Sequence, residues 1–295
     1  MSQTPLVSIV IPSYKPEFFE QTLRTAIGQT YSNIEIIVSD NCPTENIAQT
    51  CALFNGVHYY RNELKGGQNI LDAIFSAKGD YIKPLFDDDL LHPFCVERMV
   101  EAFQSSSNTS MVFSASATIN NQNKRGKERR PANQAFLIDG RELQRQMILS
   151  FQNFVGEFST IMLRGETLKQ YDRTSSLTYS DTIYAKGLSD VVFYWNTTLR
   201  HQAHYIDEEL SYFRFDPQHN SNSNPDSNPD FVFAITDWID LLIASHKNGV
   251  ITDTELATQG AKQARALSGY WSRKFPDVAE FGTKFENYLK SIANK

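Results

Sequence analysis

Residues 6–40, "LVSIVIPSYKPEFFEQTLRTAIGQTYSNIEIIVSD", decide the fold. The β-branched run "LVSIVIPSY" (6–14) reads as a strand bounded by Pro12. "EFFEQTLRTAIGQ" (17–29) then sets Phe18, Phe19, Leu23 and Ile27 at a helical period that stops near Gly28. "IEIIVSD" (34–40) is a second strand. Strand, helix and strand in so short a span make a crossover unit, which implies parallel pairing.

The pattern repeats down the first third. "TENIAQTCALF" (44–54) is a helix with Thr44 as its expected N-cap, and "VHYYRN" (57–62) a third strand. "NILDAIFSAKG" (69–79) is a helix closed by Gly79, and "YIKPLF" (81–86) a fourth strand. "PFCVERMVEAFQ" (93–104) is a helix with Pro93 near its first turn, and "SMVFSASAT" (110–118) a fifth strand. The expected class is α/β, with a mostly parallel central sheet flanked by helices. Ligands of such sheets bind beyond the carboxyl ends of the strands, near a topological switch point. Four polar clusters occupy those ends: Ser13-Tyr14-Lys15, Ser39-Asp40-Asn41, Arg61-Asn62 and Asp87-Asp88-Asp89. They are predicted to converge on one edge.

After residue 118 the alternation fails. "NNQNKRGKERRPANQ" (120–134) reads as an exposed, solvated basic loop, with contact to an anionic membrane surface as the alternative. A helix is expected around 139–152, a strand near 158–163, a helix around 188–199 and strands across 203–215. "DPQHNSNSNPDSNPD" (216–230) is low-complexity and reads as a long loop, a lid or a linker. Helical periodicity returns over 231–293.

Bulk composition narrows the class. The chain has 295 residues, 41% hydrophobic and 12% aromatic, enough for a real core. Its net charge of −6 argues against a nucleic-acid coat. No apolar window is long enough to span a bilayer, and the opening residues lack the basic segment and cleavage site of a signal peptide. Three cysteines without metal-like spacing fit a reduced compartment. The expected location is therefore cytoplasmic, at the inner face of the membrane if the basic run makes its contact.

The triplet Asp87–Asp89 sets a physical problem, because adjacent carboxylates at the end of a buried strand repel and lose hydration. A helix N-terminus explains one or two of them. A calcium loop would need alternating ligands and a turn glycine, which are absent. A divalent cation shared with substrate phosphates relieves the repulsion, the usual mode for magnesium or manganese. Asp40 stands where a carboxylate can accept hydrogen bonds from a base or ribose, or else serve as a turn residue. Arg61, Lys65, Gly66 and Gly67 lie where a loop can present N–H groups to a phosphate. Asp190 precedes the aromatic run "VVFYWNTTL", as a sugar-facing carboxylate or an ordinary N-cap. Trp195 is read as core or as a sugar platform, and His201 and His204 as structural.

With these residues in view, the sequence resembles the family-two glycosyltransferases of the GT-A fold. "VSIVIPSYK" is similar to their opening strand, and "IIVSDN" to the segment whose Asp contacts the donor base. "GGQNILDAIFSAKGDYIKPLFDDDLLHP" (66–93) resembles the approach to their metal-binding aspartates. The likeness runs from about Leu6 to Val100 and continues more weakly through 155–166, 187–200 and 205–223. It implies that Pro12, Ser13, Tyr14, Asp40, Arg61, Asn69, Asp87 and Asp88 bind a nucleotide-sugar donor, a UDP-sugar first among them. It also implies that Asp89, with His219, binds Mn2+ or Mg2+, and that Asp190 is the general base, with Asp181 and Glu157 next in line. Phe86 stands where the family often has Asp, so the resemblance leaves the assignment within the triplet open by one position, with Asp87 or Asp88 at the ribose.

The implied boundaries are a GT-A domain over 1–230, with a donor half (1–118) and an acceptor half (119–230), and a helical extension over 231–295. The implied reaction is inverting, metal-dependent transfer of a sugar to a saccharide, lipid-linked or protein-linked hydroxyl in bacterial surface polysaccharide or glycoconjugate synthesis. A non-catalytic nucleotide-sugar-binding module is the main rival. A nucleotidyltransferase ranks lower, because "IPSYKPEFFE" lacks the Gly-rich basic loop of that class. Nucleic acid is not an expected partner.

Overall fold

The computed structural model describes residues 4–215, 225, 226 and 228–293. The strands are β1 (Val7–Ser13), β2 (Ile34–Asp40), β3 (Val57–Arg61), β4 (Tyr81–Pro84), β5 (Leu90–Leu91), β6 (Thr109–Ile119), β7 (Arg125–Arg129), β8 (Phe136–Asp139), β9 (Ile161–Arg164), β10 (Thr178–Tyr179), β11 (Thr182–Ile183) and β12 (Gln202–Arg214). The helices are α1 (Phe19–Ile27), α2 (Asn46–Cys51), α3 (Gly67–Ser76), α4 (Cys95–Ser105), α5 (Gly140–Ser150), α6 (Gly165–Leu168), α7 (Ser189–Thr198), α8 (Phe231–Lys247), α9 (Asp253–Glu255), α10 (Ala261–Trp271) and α11 (Asp277–Ala293).

The chain divides into two compact units by an interleaved path. The first comprises 1–138, 155–173 and 201–215; the second comprises 139–154, 174–200 and 216–295. The contacts thus group 139–154 and 174–200 with the C-terminal helices, not with the sheet that precedes them.

A ten-stranded sheet forms the first unit, ordered β3-β2-β1-β4-β9-β6-β12-β5, with β7 on β6 and β8 on β12. The pairs β3–β2, β2–β1 and β1–β4 are all parallel. Beyond β4 the sheet is mixed, since β9 runs antiparallel to both β4 and β6. Alternation along β1 sends Val7, Ile9 and Ile11 into one cluster with Phe19 and Leu23 of α1, Ile47 of α2 and Val96, Met99 and Phe103 of α4. Helix α3 lies against β1 and β2 and buries Ile70, Leu71 and Ile74. Chain order reverses at β1, whose neighbours are β2 and β4, so the switch point falls between β1 and β4.

Two local expectations change. The segment expected as a basic loop contains β7, which pairs with the end of β6 across a turn with Asn123 at φ 59°. Asn tolerates that left-handed conformation, and four of the five β7 residues are exposed, so no apolar alternation marks the strand. Helix α2 is entered at Glu45 without a side-chain cap, and the Thr44 hydroxyl lies 3.3 Å from Cys42 Sγ instead.

Among the described residues, the regular structure of the second unit is helical apart from the β10–β11 hairpin. Helix α8 contacts α5, α10 and α11, and buries Ile235, Trp238, Ile239, Leu241 and Leu242. Trp195 is core: its indole N–H donates to Met147 Sδ at 3.4 Å. Among the described residues, no helix is long and apolar enough to cross a membrane.

Candidate active site

The four strand-end clusters meet on one edge of the first unit. Ser13 pairs in register with Asp40, and Asp40 with Arg61. The Asn41 N–H donates to Ser13 O, and the Asn62 N–H to Asp40 O. The predicted convergence is therefore present, set by parallel pairing of β1 to β4.

The aspartates leave β4 at the switch point and take three different environments. Asp87 Oδ2 accepts the Tyr14 and Lys15 N–H groups, each at 2.6 Å, which ties the exit of β1 to the exit of β4. Asp88, with 19% of its side chain exposed, pairs with Lys15 Nζ at 3.1 Å. Asp89 has no exposure; its Oδ1 accepts the Arg214 N–H at 2.9 Å, and its Oδ2 is buried without a hydrogen-bond partner. Burial, then repulsion from Asp88, pushes the Asp87 carboxyl up to about 7 and holds Asp89 well above the usual carboxylate range. The local charge is thus only partly compensated by the protein.

This donor set fits a cation that completes its shell elsewhere. Among the described residues, no three His, Cys, Asp or Glu side chains are grouped to hold an ion by themselves. Magnesium and manganese commonly bind one or two carboxylates together with substrate phosphates, and an orphaned buried carboxylate oxygen is the kind of atom such an ion satisfies. Within the triplet, Asp88 has the larger access to solvent, whereas Asp89, the expected ligand, is fully buried with Oδ2 unpartnered.

The remaining expected donor residues separate into exposed and interior groups. Tyr14 is 58% exposed just beyond the end of β1. Pro12 and Ser13 are buried within β1, and the Ser13 hydroxyl donates to Ile11 O, so they support the crevice from inside. Asp40 is fully buried and accepts the Cys42 N–H and the Tyr59 hydroxyl, both at 2.7 Å. Its carboxylate shapes the Asn41–Cys42 turn. Asn69 donates to Ser39 O and Asn41 Oδ1 and accepts from Ser39 and Asn62, so its amide stitches strand ends together. Arg61 pairs with Glu45 and donates to Cys42 O.

Asp190 lies in the second unit, in the first turn of α7. Its Oδ2 accepts from the Asn153 amide at 2.7 Å and its Oδ1 from the Val191 N–H at 2.8 Å. Leu188, not Asp190, occupies the N-cap position. Of the alternative bases, Glu157 is engaged by Arg129, and Asp181 is an exposed turn residue at φ 65°. His219 lies outside the described residues, as does most of the expected lid at 216–230. His201 and His204 make structural bonds to Asn108 and Ala102 O.

Sequence reasoning missed three participants. Lys15 was visible at a strand end, but its neighbour in space, Asp88, is 73 residues away. Arg214 donates from Nε to Asp88 O and from its backbone to Asp89, a link made only by the β12 crossover. Lys83 is fully buried and donates to Pro84 O and Ser159 O, and burial lowers its ammonium to about 8. The basic run is largely neutralised: Arg125 pairs with Glu209, Arg129 with Glu157 and Arg130 with Asp207.

The aspartates stand at the end of β4 in a sheet whose order there is β3-β2-β1-β4, and a model of glycosyl transferase family 2 matches residues 8–173, more than half of the chain. The chain belongs to glycosyl transferase family 2. An uncharacterized glycosyltransferase of Rickettsia felis is 33% identical over 116 residues, covering 37% of this chain and 19% of that protein. The glycosyltransferase GlyG of Streptococcus pneumoniae is 33% identical over 106 residues, covering 34% of this chain and 35% of that protein. The chain thus aligns with well under two thirds of either relative's length. The fold of this family-2 chain is similar to S. aureus TarS 1-349 solved with UDP-GlcNAc, with a TM-score of 0.59 at 12% identity, over 97% of this chain and 92% of that one.

Proposed function

We propose that this chain transfers a sugar from a nucleoside-diphosphate sugar, a UDP-sugar first, to an acceptor hydroxyl with inversion at the anomeric carbon. The observation that carries the reading is the carboxylate step at the β1–β4 switch point, held in place by backbone N–H groups yet short of positive charge.

The diphosphate would lie beyond the ends of β1 and β4, where Asp88 and Asp89 are the residues that would hold a Mn2+ or Mg2+ ion. When bound, that ion supplies positive charge against the charge that develops on the leaving diphosphate. The base stacks on the exposed Tyr14 ring, beside the turn that Asp40 shapes. Asp190 takes the acceptor's proton as its oxygen bonds to the anomeric carbon and the carbon–oxygen bond to the diphosphate breaks. The sugar leaves inverted, and the nucleoside diphosphate departs with the bonding pair. Asn153 holds the Asp190 carboxylate in orientation.

Calorimetric titration with UDP and MnCl2 tests the donor site. Asp88→Asn is expected to abolish the manganese-dependent part of UDP binding while leaving the melting temperature of the free protein intact. Unchanged titration would remove the cation from this site. Asp190→Asn is expected to bind UDP like the parent and to lose transfer by about 100-fold or more. Normal turnover by that variant would place the base elsewhere.

A further inference from the structure

We propose that Lys15 is the internal counter-cation of the aspartate step, and that its ammonium passes from Asp88 to the donor's diphosphate when the nucleotide binds. The inference rests on the donor-site reading above and adds a consequence: nucleotide binding is strengthened by a divalent cation without depending on it entirely.

Lys15 is placed by its backbone. It follows the last residue of β1 by two positions and precedes Pro16, which restricts it to extended conformations. Its own N–H and that of Tyr14 are both fastened to Asp87. The Cα of Lys15 is therefore fixed in the crevice between β1 and β4, and only its side chain is left to move. The ammonium ends 3.1 Å from Asp88 Oδ2, and the side chain is 44% exposed. A half-exposed pair of this kind is weak, so exchanging one anionic partner for another costs little.

The other cations near the step are spent differently. Arg214 donates to Asp88 O, Asn120 O and Asn123 Oδ1, and its guanidinium lies over the Phe18 ring at 3.9 Å. Lys83 is fully buried on two carbonyl oxygens. Among the described residues, Lys15 makes the one ion pair to the triplet. A lysine ammonium is a compact charge suited to a phosphate. A divalent cation arriving at Asp88 competes for the same oxygen, and the displaced ammonium is free to meet the phosphates that the cation brings.

The test uses the whole chain and UDP as the probe. Calorimetric titration is run with EDTA and with MnCl2 on the parent, Lys15→Met and Lys15→Arg. Free Mn2+ is measured separately by electron paramagnetic resonance without nucleotide. The parent is expected to bind UDP in EDTA and more tightly with manganese. Lys15→Met should weaken binding in EDTA by about tenfold or more, lose less with manganese present, and bind Mn2+ alone more tightly, because Asp88 is released. Lys15→Arg should keep most of the EDTA affinity. If Lys15→Met binds UDP in EDTA as well as the parent does, or leaves Mn2+ affinity unchanged, the proposal is overturned. Should Lys15→Met fail to fold, Lys15→Gln carries the same comparison. A parent that binds UDP in neither condition refutes the donor-site reading itself, a separate outcome.

Discussion

Asp237 accepts the Leu188 N–H at 2.9 Å, just ahead of the helix that carries Asp190. Burial pushes its carboxyl up to about 6, with Asp240 adding repulsion and the Leu188 bond pulling the other way. The folded chain thus keeps a proton that the unfolded chain releases between about pH 4 and 6, and stability falls as pH rises through that window. Asp237→Asn retains an acceptor for Leu188 and removes the penalty. We expect it to exceed the parent by about 1–2 kcal/mol at pH 8, after discounting for partial exposure, and by much less at pH 4. Urea melts at the two pH values measure the difference; an advantage that does not grow with pH contradicts the assignment. Spacing alone indicated Asp237 no more than it indicated Lys15. Both matter through a partner distant in sequence, Leu188 in one case and Asp88 in the other.

At the scale of elements, α5 meets α7 at a glycine. A Cβ on Gly140 would run into the backbone carbonyl of Thr198, a rigid neighbour at the end of α7. Gly140→Ala is therefore expected to cost about 2–3 kcal/mol, read as a lowered denaturation midpoint with an unchanged slope. A neutral result would mean that α5 and α7 pack less closely than described. The sequence placed helices around 139–152 and 188–199, where α5 and α7 lie. It did not announce β7, whose residues are charged apart from Gly126 and are held by Glu209 of β12 and by Glu157 ahead of β9.

For the whole molecule, the C-terminal helices are a main part of the second unit's core. Residues 231–293 supply Ile235, Trp238, Ile239, Leu241, Leu242, Leu256 and Phe285 to the buried interior. Each such side chain contributes about 1.5–3 kcal/mol when buried, so their removal exceeds any ordinary margin of domain stability. A chain ending at Asp230 is expected to lose the cooperative melt of this unit and to expose the apolar face of α5, detected by dye binding. A soluble truncation with an unchanged melt would make the segment dispensable.

What the sequence determined by itself was local and periodic: the crossover units from β1 to β4, the edge on which their polar ends gather, and the carboxylate triplet. Periodicity and turn residues act over a few positions, and parallel pairing follows from them without further information. Only the tertiary structure decided which aspartate meets solvent, that Lys15 faces Asp88, that Asp40 and Asn69 are consumed by the chain, and that Arg214 buttresses the step. Those outcomes depend on burial and on contacts across 19 to 126 residues. Exposure is a property of the packed molecule, and no single stretch of chain carries it.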